Sequence, residues 1–544
     1  MLKGTFSLYN GLVKPSIWPP MLEFNGRGKK LPIELLPPSD GVYPIDIGRQ
    51  LFVDDFLIYK TSMNRTFYSA QKSSKNPVLV PETATEKDQG ECPVAAPFND
   101  GVWWDSRQKV FKMWYHAGWM RSTGYATSDD GINWVRPKLD VVPGTNLILP
   151  SRKGYLRDGC CVWLDENTDK DEERYKMLQF FRKNEIEEIG EVYVSGDGIH
   201  WGEPTTTGPM GDNSTFFYNP FLKKWVFSLR THRLHNSKEG HRYSDIRTRS
   251  YIESDSFTSG SQWSPQDPSM WAWSDYRDEI DPLIGDEPQL YDINANAYES
   301  LMLGLFAIYC GPSNPVAEEM GVPKTNDLKI AFSRDGFHWD RGSTEEFIPS
   351  ERNNATWDNG YIHAAGGTCL IVEDRLYFYY GAWSGLSPNL KGNTVGSHRR
   401  SNAMYAGGST GLATLRRDGF ASMDSGRSGA SLITHPVKFS GNYLFVNFDS
   451  SKGKLEVEIL DSYGEVIRPY TADNCVTLSC DSSKQMIKWS GVNDLKQLSG
   501  RTVRFRFNST DTTLFSFWVS PWKSGESNGY VAAGGRGFNS SRDE

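Results

Sequence analysis

Ser128-Asp129-Asp130-Gly131-Ile132-Asn133-Trp134, Ser195-Gly196-Asp197-Gly198-Ile199-His200-Trp201 and Ser333-Arg334-Asp335-Gly336-Phe337-His338-Trp339 are three copies of one pattern, Ser-x-Asp-Gly-x-x-Trp. Each closes a run of strand-like sequence. Degenerate relatives stand at Ser254-Asp255-Ser256-Phe257 and Arg417-Asp418-Gly419-Phe420, so the turn aspartates fall at 130, 197, 255, 335 and 418. The Asp-Gly step supplies a side-chain acceptor and a residue that tolerates positive φ, as a tight turn between strands requires. The tryptophan that follows anchors the next strand by its large apolar surface. Recurrence at such intervals marks stacked or radially arranged units. The chain reads as five copies of one β unit.

Within each unit a short apolar run is followed by a polar turn and a longer aromatic strand, as in Gly101–Trp104 and then Phe111–Tyr115. A third strand of small and β-branched residues leads into the Asp-Gly turn, and the tryptophan opens a fourth. Four antiparallel strands repeated five times predict an all-β fold, a five-bladed β-propeller over residues 75–425. Residues 1–74 read as an N-terminal extension in which Gln50–Ile58 could close the ring against the last blade. Past the Gly/Ser-rich stretch 425–430 the pattern alternates apolar and polar residues, as in Leu455–Leu460 and Val503–Phe507. That half-solvated alternation predicts a C-terminal antiparallel β-sandwich over 432–525, with a polar, frayed tail over 526–544.

The 544 residues exceed one ordinary core, and 13% aromatics with 51 Gly and 29 Pro favour a turn-rich β protein. The net charge is −8 and no Lys/Arg block stands out, so nucleic acid is not an expected partner. No apolar run approaches the ~20 residues that span a bilayer. The N-terminus shows no signal-peptide pattern, so the compartment stays open between an intracellular protein and a secreted or periplasmic one. Cys475 and Cys480 lie close enough in sequence to bridge, whereas Cys160-Cys161 reads as buried thiol.

In a propeller the first strand of each blade lines the axis, so groups just ahead of those strands converge. Here they are Asp100, Asp158, Asp212, Glu287 and His363, with Glu91 a little upstream. Each aspartate alone could be an Asx-turn former; as a set, converging carboxylates suit general acid and base chemistry on a glycosidic bond. The expected catalytic set is Glu91, Asp158, Asp212 and Glu287, and the expected substrate-binding set is Arg157, Arg230, Arg242 and His363. Trp271, Trp273 and Trp357 are read as rim residues for sugar rings, and Trp103 and Trp104 as core. His232, His235 and His241 fit no ligand spacing on one strand. No metal or cofactor is expected.

On these residues the chain resembles the glycoside hydrolases of families 32 and 43 and their relatives, which join five blades to a C-terminal sandwich. Arg157-Asp158-Gly159 resembles the families' Arg-Asp-Pro element without its proline. Glu91-Cys92-Pro93 matches the letters of a family 32 motif, although it precedes Arg157-Asp158, and the Trp-Met-Asn-Asp-Pro element is missing. The resemblance implies a divergent glycoside hydrolase with an oligo- or polysaccharide substrate and no cofactor. Two alternatives stand beside it. One is a sialidase-like hydrolase, whose Asp-box is matched by Thr127–Trp134 but whose axial arginines are replaced here by positions that read as acidic. The other is a non-catalytic carbohydrate-binding propeller.

Overall fold

Each complete Ser-x-Asp-Gly-x-x-Trp copy folds into the same turn. In the first, the Asp130 carboxylate accepts the backbone N–H groups of Ile132 and Asn133, both at 2.8 Å, and Ser128 Oγ accepts from Gly131 N at 2.9 Å. Asp197 and Asp335 repeat this arrangement, and the three glycines take φ of +75°, +78° and +82°. The computed structural model describes residues 6–24, 26–28, 30–31, 35–184, 186–234, 245–320, 322–386 and 405–544. It is almost entirely β, 45% strand and 5% helix.

Five antiparallel sheets follow one another along the chain. Their innermost strands are Ala95–Asp105, Tyr155–Leu164, Thr215–Asn219, Gln289–Glu299 and Gly360–Ala364. Hydrogen bonds tie each sheet to the next. Trp103 Nε1 donates to Val162 O at 2.9 Å, Cys161 Sγ to Phe216 O at 3.6 Å, and Thr215 Oγ1 to Ile293 O. Asn296 Nδ2 donates to Gly367 O at 3.2 Å, and Gly366 N to Asn99 O at 3.1 Å, which brings the fifth sheet back to the first. The turns add a second set of ties, each to the preceding sheet. Trp114 Nε1 donates to Gly198 O at 2.8 Å, Asn219 Nδ2 to Asp335 O at 3.1 Å, and Tyr379 OH to Gly131 O.

The outer edge of the fifth sheet is completed by Gln71–Lys72, which pairs with Ala413–Thr414. Gln50–Leu51, expected near that place, pairs instead with Ser516–Phe517. Asn64–Phe67 and Ala421–Ser425 join the same six-stranded sheet, and Ile58–Thr61 joins a four-stranded one with Ala430–Thr434, Arg504–Thr510 and Lys454–Leu460. These two sheets bury one core that includes Leu432, Val446, Phe448, Val457, Phe505, Phe507 and Phe517. The physical reason for the difference is that a two-residue strand carries no signal of which distant edge it will join. All seven cysteines are free thiols, so Cys475 and Cys480 are unbridged, and Cys160 and Cys161 are buried.

The tail expected to fray is also built in. Tyr530–Val531 pairs with Tyr298–Glu299. Ala533 then links two other sheets: its N–H donates to Cys369 O, and its carbonyl accepts from Trp104 N, both at 3.0 Å. Gly529 leaves no room for a side chain there, because a Cβ would stand 2.1 Å from Glu299 Oε2.

A buried ionic cluster joins the fourth and fifth sheets to the C-terminal pair. Arg49 Nη1 donates to Asp418 Oδ2 at 3.0 Å, and Glu299 Oε1 lies 3.4 Å from Arg49 Nε and 3.0 Å from Arg417 Nη2. Tyr298 OH at 2.6 Å, Ser516 Oγ at 2.7 Å and Asn447 Nδ2 at 3.1 Å also donate to Asp418. Burial pushes the Asp418 carboxyl up, but Arg49 and Arg417 outweigh it and hold it at about 2. Removing one partner from a buried pair strands the others. Asp418→Asn is therefore expected to lower unfolding stability by about 3–5 kcal/mol in denaturant titration. The folded pKa lies below the ordinary 3.8, so Asp418 stabilises fully above pH 3.8 and loses its contribution as pH falls towards 2. The variant should lack that acid-dependent component.

Candidate active site

The innermost strands do not run straight. Their registers slip between Ala96 and Gly101, between Arg157 and Cys160, between Leu290 and Asp292, and between Gly360 and His363. Bulges re-aim side chains out of the alternating pattern, and these four lie near the same ends of their strands. Asn99, Asn213 and Tyr361, at or beside them, hold positive φ of +69°, +53° and +54°, a conformation that non-glycine residues adopt only when their surroundings impose it. Gly159 sits where a Cβ would meet Asn213 N at 3.0 Å, so a larger residue would crowd the second sheet against the third.

Three asparagines link three of the sheets. Asn294 Nδ2 donates to Asn99 Oδ1 at 2.8 Å, and Asn99 Nδ2 to Asn213 Oδ1 at 3.1 Å, joining the fourth, first and third sheets. Beside this bar, Asp158 and Asp212 share one guanidinium. Arg182 Nε donates to Asp158 Oδ2 at 3.2 Å and Arg182 Nη2 to Asp212 Oδ2 at 2.9 Å, while Arg230 also pairs with Asp212. Asp292 Oδ2 lies 3.0 Å from His363 Nδ1, and Asn326 Nδ2 stands 3.1 Å from the other ring nitrogen. Burial drives the His363 pKa down and Asp292 opposes it, with a net lowering.

Lys324 is the most unusual group. It is 2% exposed, and its ammonium stands 5.0–5.9 Å from the ring centroids of Tyr361, Tyr405, Tyr291 and Tyr309. Among the described residues its ammonium has no hydrogen-bond or ion-pair partner. Burial, reinforced by Arg247 and Arg230 against the pull of Asp158, holds its pKa well below 10.5. Arg247 packs over two of the same rings, 5.3 Å from Tyr291 and 5.0 Å from Tyr309, and donates to Gln289 Oε1 at 2.7 Å. Arg249, fully buried, donates to Asn213 O at 2.9 Å, and its Nε and Nη2 lack a hydrogen-bond partner among the described residues.

Of the residues expected from sequence, Asp158 and Asp212 meet at Arg182, with Arg230 beside them. Arg157 is buried and pairs with Asp100, whose carboxyl burial raises despite that partner. His363 lies within the bulge of the fifth sheet. Glu287 is half-buried, two residues ahead of Gln289–Glu299. Glu91 is exposed beside Cys92, whose thiol donates to Tyr405 O at 2.8 Å. Arg242, His235 and His241 lie outside the described residues. Among the described residues no group of His, Cys, Asp and Glu is arranged to hold a metal ion.

Two expectations need correction. The site is not acidic alone: Arg182, Arg230, Arg247, Arg249 and Lys324 gather around Asp158, Asp212 and Asp292, from second and third strands or, for Lys324, from just ahead of one. Arg230 was expected there as a substrate-binding residue; Arg182, Arg249 and Lys324 were not. Trp271 and Trp273 are not rim residues; both are buried, and Trp271 Nε1 donates to Phe337 O at 2.8 Å. Trp103 and Trp104 are buried as expected, while half-buried Trp357 stacks on Tyr380 with ring centroids 5.8 Å apart.

No protein-family model matches the chain, and comparison with curated proteins finds no match. The solved structures it resembles include propeller-fold glycoside hydrolases. An N-acetylgalactosamine deacetylase from F. plautii in complex with blood group B trisaccharide aligns at 13% identity and TM-score 0.43, over 65% of this chain and 96% of that one. A thermostable family-43 glycoside hydrolase aligns at 11% identity and TM-score 0.39, over 59% and 91%. A Bombyx mori GH32 beta-fructofuranosidase aligns at 10% identity and TM-score 0.37, over 82% and 95%. Likeness at this level decides neither a reaction nor a substrate.

An ammonium buried without a counter-ion costs stability. Lys324→Met, close in volume, is expected to raise stability by about 1–3 kcal/mol in thermal or denaturant unfolding. Because the folded pKa lies below 10.5, the unfolded chain binds the extra proton between the two values, so wild-type stability rises with pH across that window. The variant should lose that rise. A destabilised variant would mean that the ammonium is well solvated where it stands.

Proposed function

We propose that the protein is a glycoside hydrolase, a five-bladed β-propeller followed by a β-sandwich, that cleaves glycosidic bonds of oligo- or polysaccharides at the propeller axis. The reading of blades rests on the closed cycle of hydrogen bonds through the five sheets. The reading of a sandwich rests on the single core shared by the last two sheets. The observation that carries the function is the meeting of Asp158 and Asp212 at Arg182 beside the cluster of tyrosines around Lys324. Tyrosine faces suit the apolar faces of sugar rings. The asparagine bar fills the axis beside these groups, which suits attack on a chain end rather than on a threaded polymer.

In this mechanism Asp158, paired with Arg182, acts as base or as stabiliser of the positive charge that develops on the sugar ring. Asp212 holds Arg182 and Arg230 in place. Glu287 is the proton donor to the leaving oxygen, and Glu91 stands at the exposed rim. A charged acceptor and a protonated donor acting together give a bell-shaped pH profile.

The test is substitution with activity measured on a panel of glycans and aryl glycosides. Asp158→Asn and Glu287→Gln preserve volume and should each reduce kcat roughly 10²–10⁴-fold without changing the melting curve greatly. The Glu287→Gln enzyme should be partly spared on aryl glycosides whose leaving group needs no proton. Wild-type turnover in both variants would replace this reading with that of a sugar-binding propeller.

A further inference from the structure

The charges at the axis do not balance. Asp158 and Asp212 are taken by Arg182 and Arg230, and Asp292 faces His363. Among the described residues Arg247 has only a neutral amide, Gln289 Oε1, as its hydrogen-bonded side-chain partner. Lys324 has none among the described residues. Yet these two cations pack against the same pair of rings, Tyr291 and Tyr309. Like charges brought together out of bulk water repel one another and lose hydration. A fold retains such a pair at a cost in stability, and an anion bound between them would remove it. Arg247 is half-buried and therefore reachable from solvent, and Arg230 stands close enough to act on both.

We infer that Arg247 and Lys324, with Arg230 beside them, form the seat of an oxyanion, a carboxylate or a sulfate ester, carried by the sugar residue that the axial pocket takes. The inference rests on the glycosidase reading of the same pocket and names its substrate class, an acidic or sulfated glycan. The guanidinium of Arg247 offers a planar fork of donors and Lys324 a point charge, so the seat accepts planar or tetrahedral oxyanions. Tyr291 and Tyr309, both buried beneath the two cations, fix them side by side.

The test is calorimetric titration of the full chain with glucuronate, galacturonate, galactose 6-sulfate, galactose and inorganic sulfate, at low salt and again in 0.5 M NaCl. One or more of the three charged sugars should bind at least tenfold more tightly than galactose, with the advantage shrinking in high salt. Which of them binds separates carboxylate from sulfate. Arg247→Gln should remove that advantage and leave galactose affinity unchanged. Lys324→Met should do the same, and because it is expected to melt higher than wild type, lost binding there cannot be blamed on unfolding. Equal affinity for charged and neutral sugars, or full preference retained in both variants, overturns the inference. Sulfate ion binding as tightly as galactose 6-sulfate also overturns it, since the sugar would then contribute nothing. Tight binding of an acidic sugar with no cleavage of its glycosides refutes the hydrolase and leaves the seat standing. Cleavage of neutral glycans with indifference to charge does the reverse.

Discussion

Two like charges share one wall of tyrosines at the centre of the molecule, and the surrounding structure holds them there. Lys324 is buried almost completely, Arg247 lies over the same rings, and neither has a carboxylate partner among the described residues. Protein interiors seldom keep unpaired cations unless function requires them. Elsewhere this chain pairs its buried charges closely. Arg49, Glu299, Asp418 and Arg417 form a closed network at the junction of the sheets, and Lys112, Asp105 and Arg174 form another between the first and second sheets. The axis departs from that habit, and it does so where three strands of different sheets hold positive φ.

The fold explains how the charges come together. Sheets tied edge to edge in a cycle bring five innermost strands to one line, and bulges in four of them turn side chains towards it. The asparagine bar then keeps the strands from sliding and fills the axis at that level. At the far ends of the same strands the C-terminal segment crosses from the fourth sheet to the fifth and first. Two unrelated devices therefore tie these strands together, one at each end.

Much of this was legible in the sequence, for a reason that also sets the limit. The Asp-Gly turns are local: a carboxylate two residues from the N–H it accepts needs no tertiary partner, so Asp130, Asp197 and Asp335 could be read directly. The places of Asp158 and Asp212 followed from those turns by counting strands. Of the cations, Arg230 was expected at the site, whereas Arg182, Arg249 and Lys324 were not. Arg182 and Arg249 sit on second and third strands, where alternation says only which side faces a neighbour. Lys324 is the residue before a strand in an unremarkable run, Val322-Pro323-Lys324-Thr325. Bulges move a residue across faces without changing composition, so nothing in the sequence set Tyr291 and Tyr361 apart. Gln50–Leu51 and Tyr530–Val531 show the same limit for the fold, since each is a two-residue strand whose partner lies more than two hundred residues away.

The central claim is that the axial cations hold the charged group of a sugar. A crystal structure with galacturonate or galactose 6-sulfate bound tests it most directly. The account predicts the oxyanion within about 3 Å of Arg247 and Lys324, with the sugar ring against Tyr291 or Tyr309. A sugar seated instead between Trp103, Trp163 and Tyr530 at the far ends of the strands, or in the apolar cleft beside Pro77, Trp357 and Leu386, would contradict it.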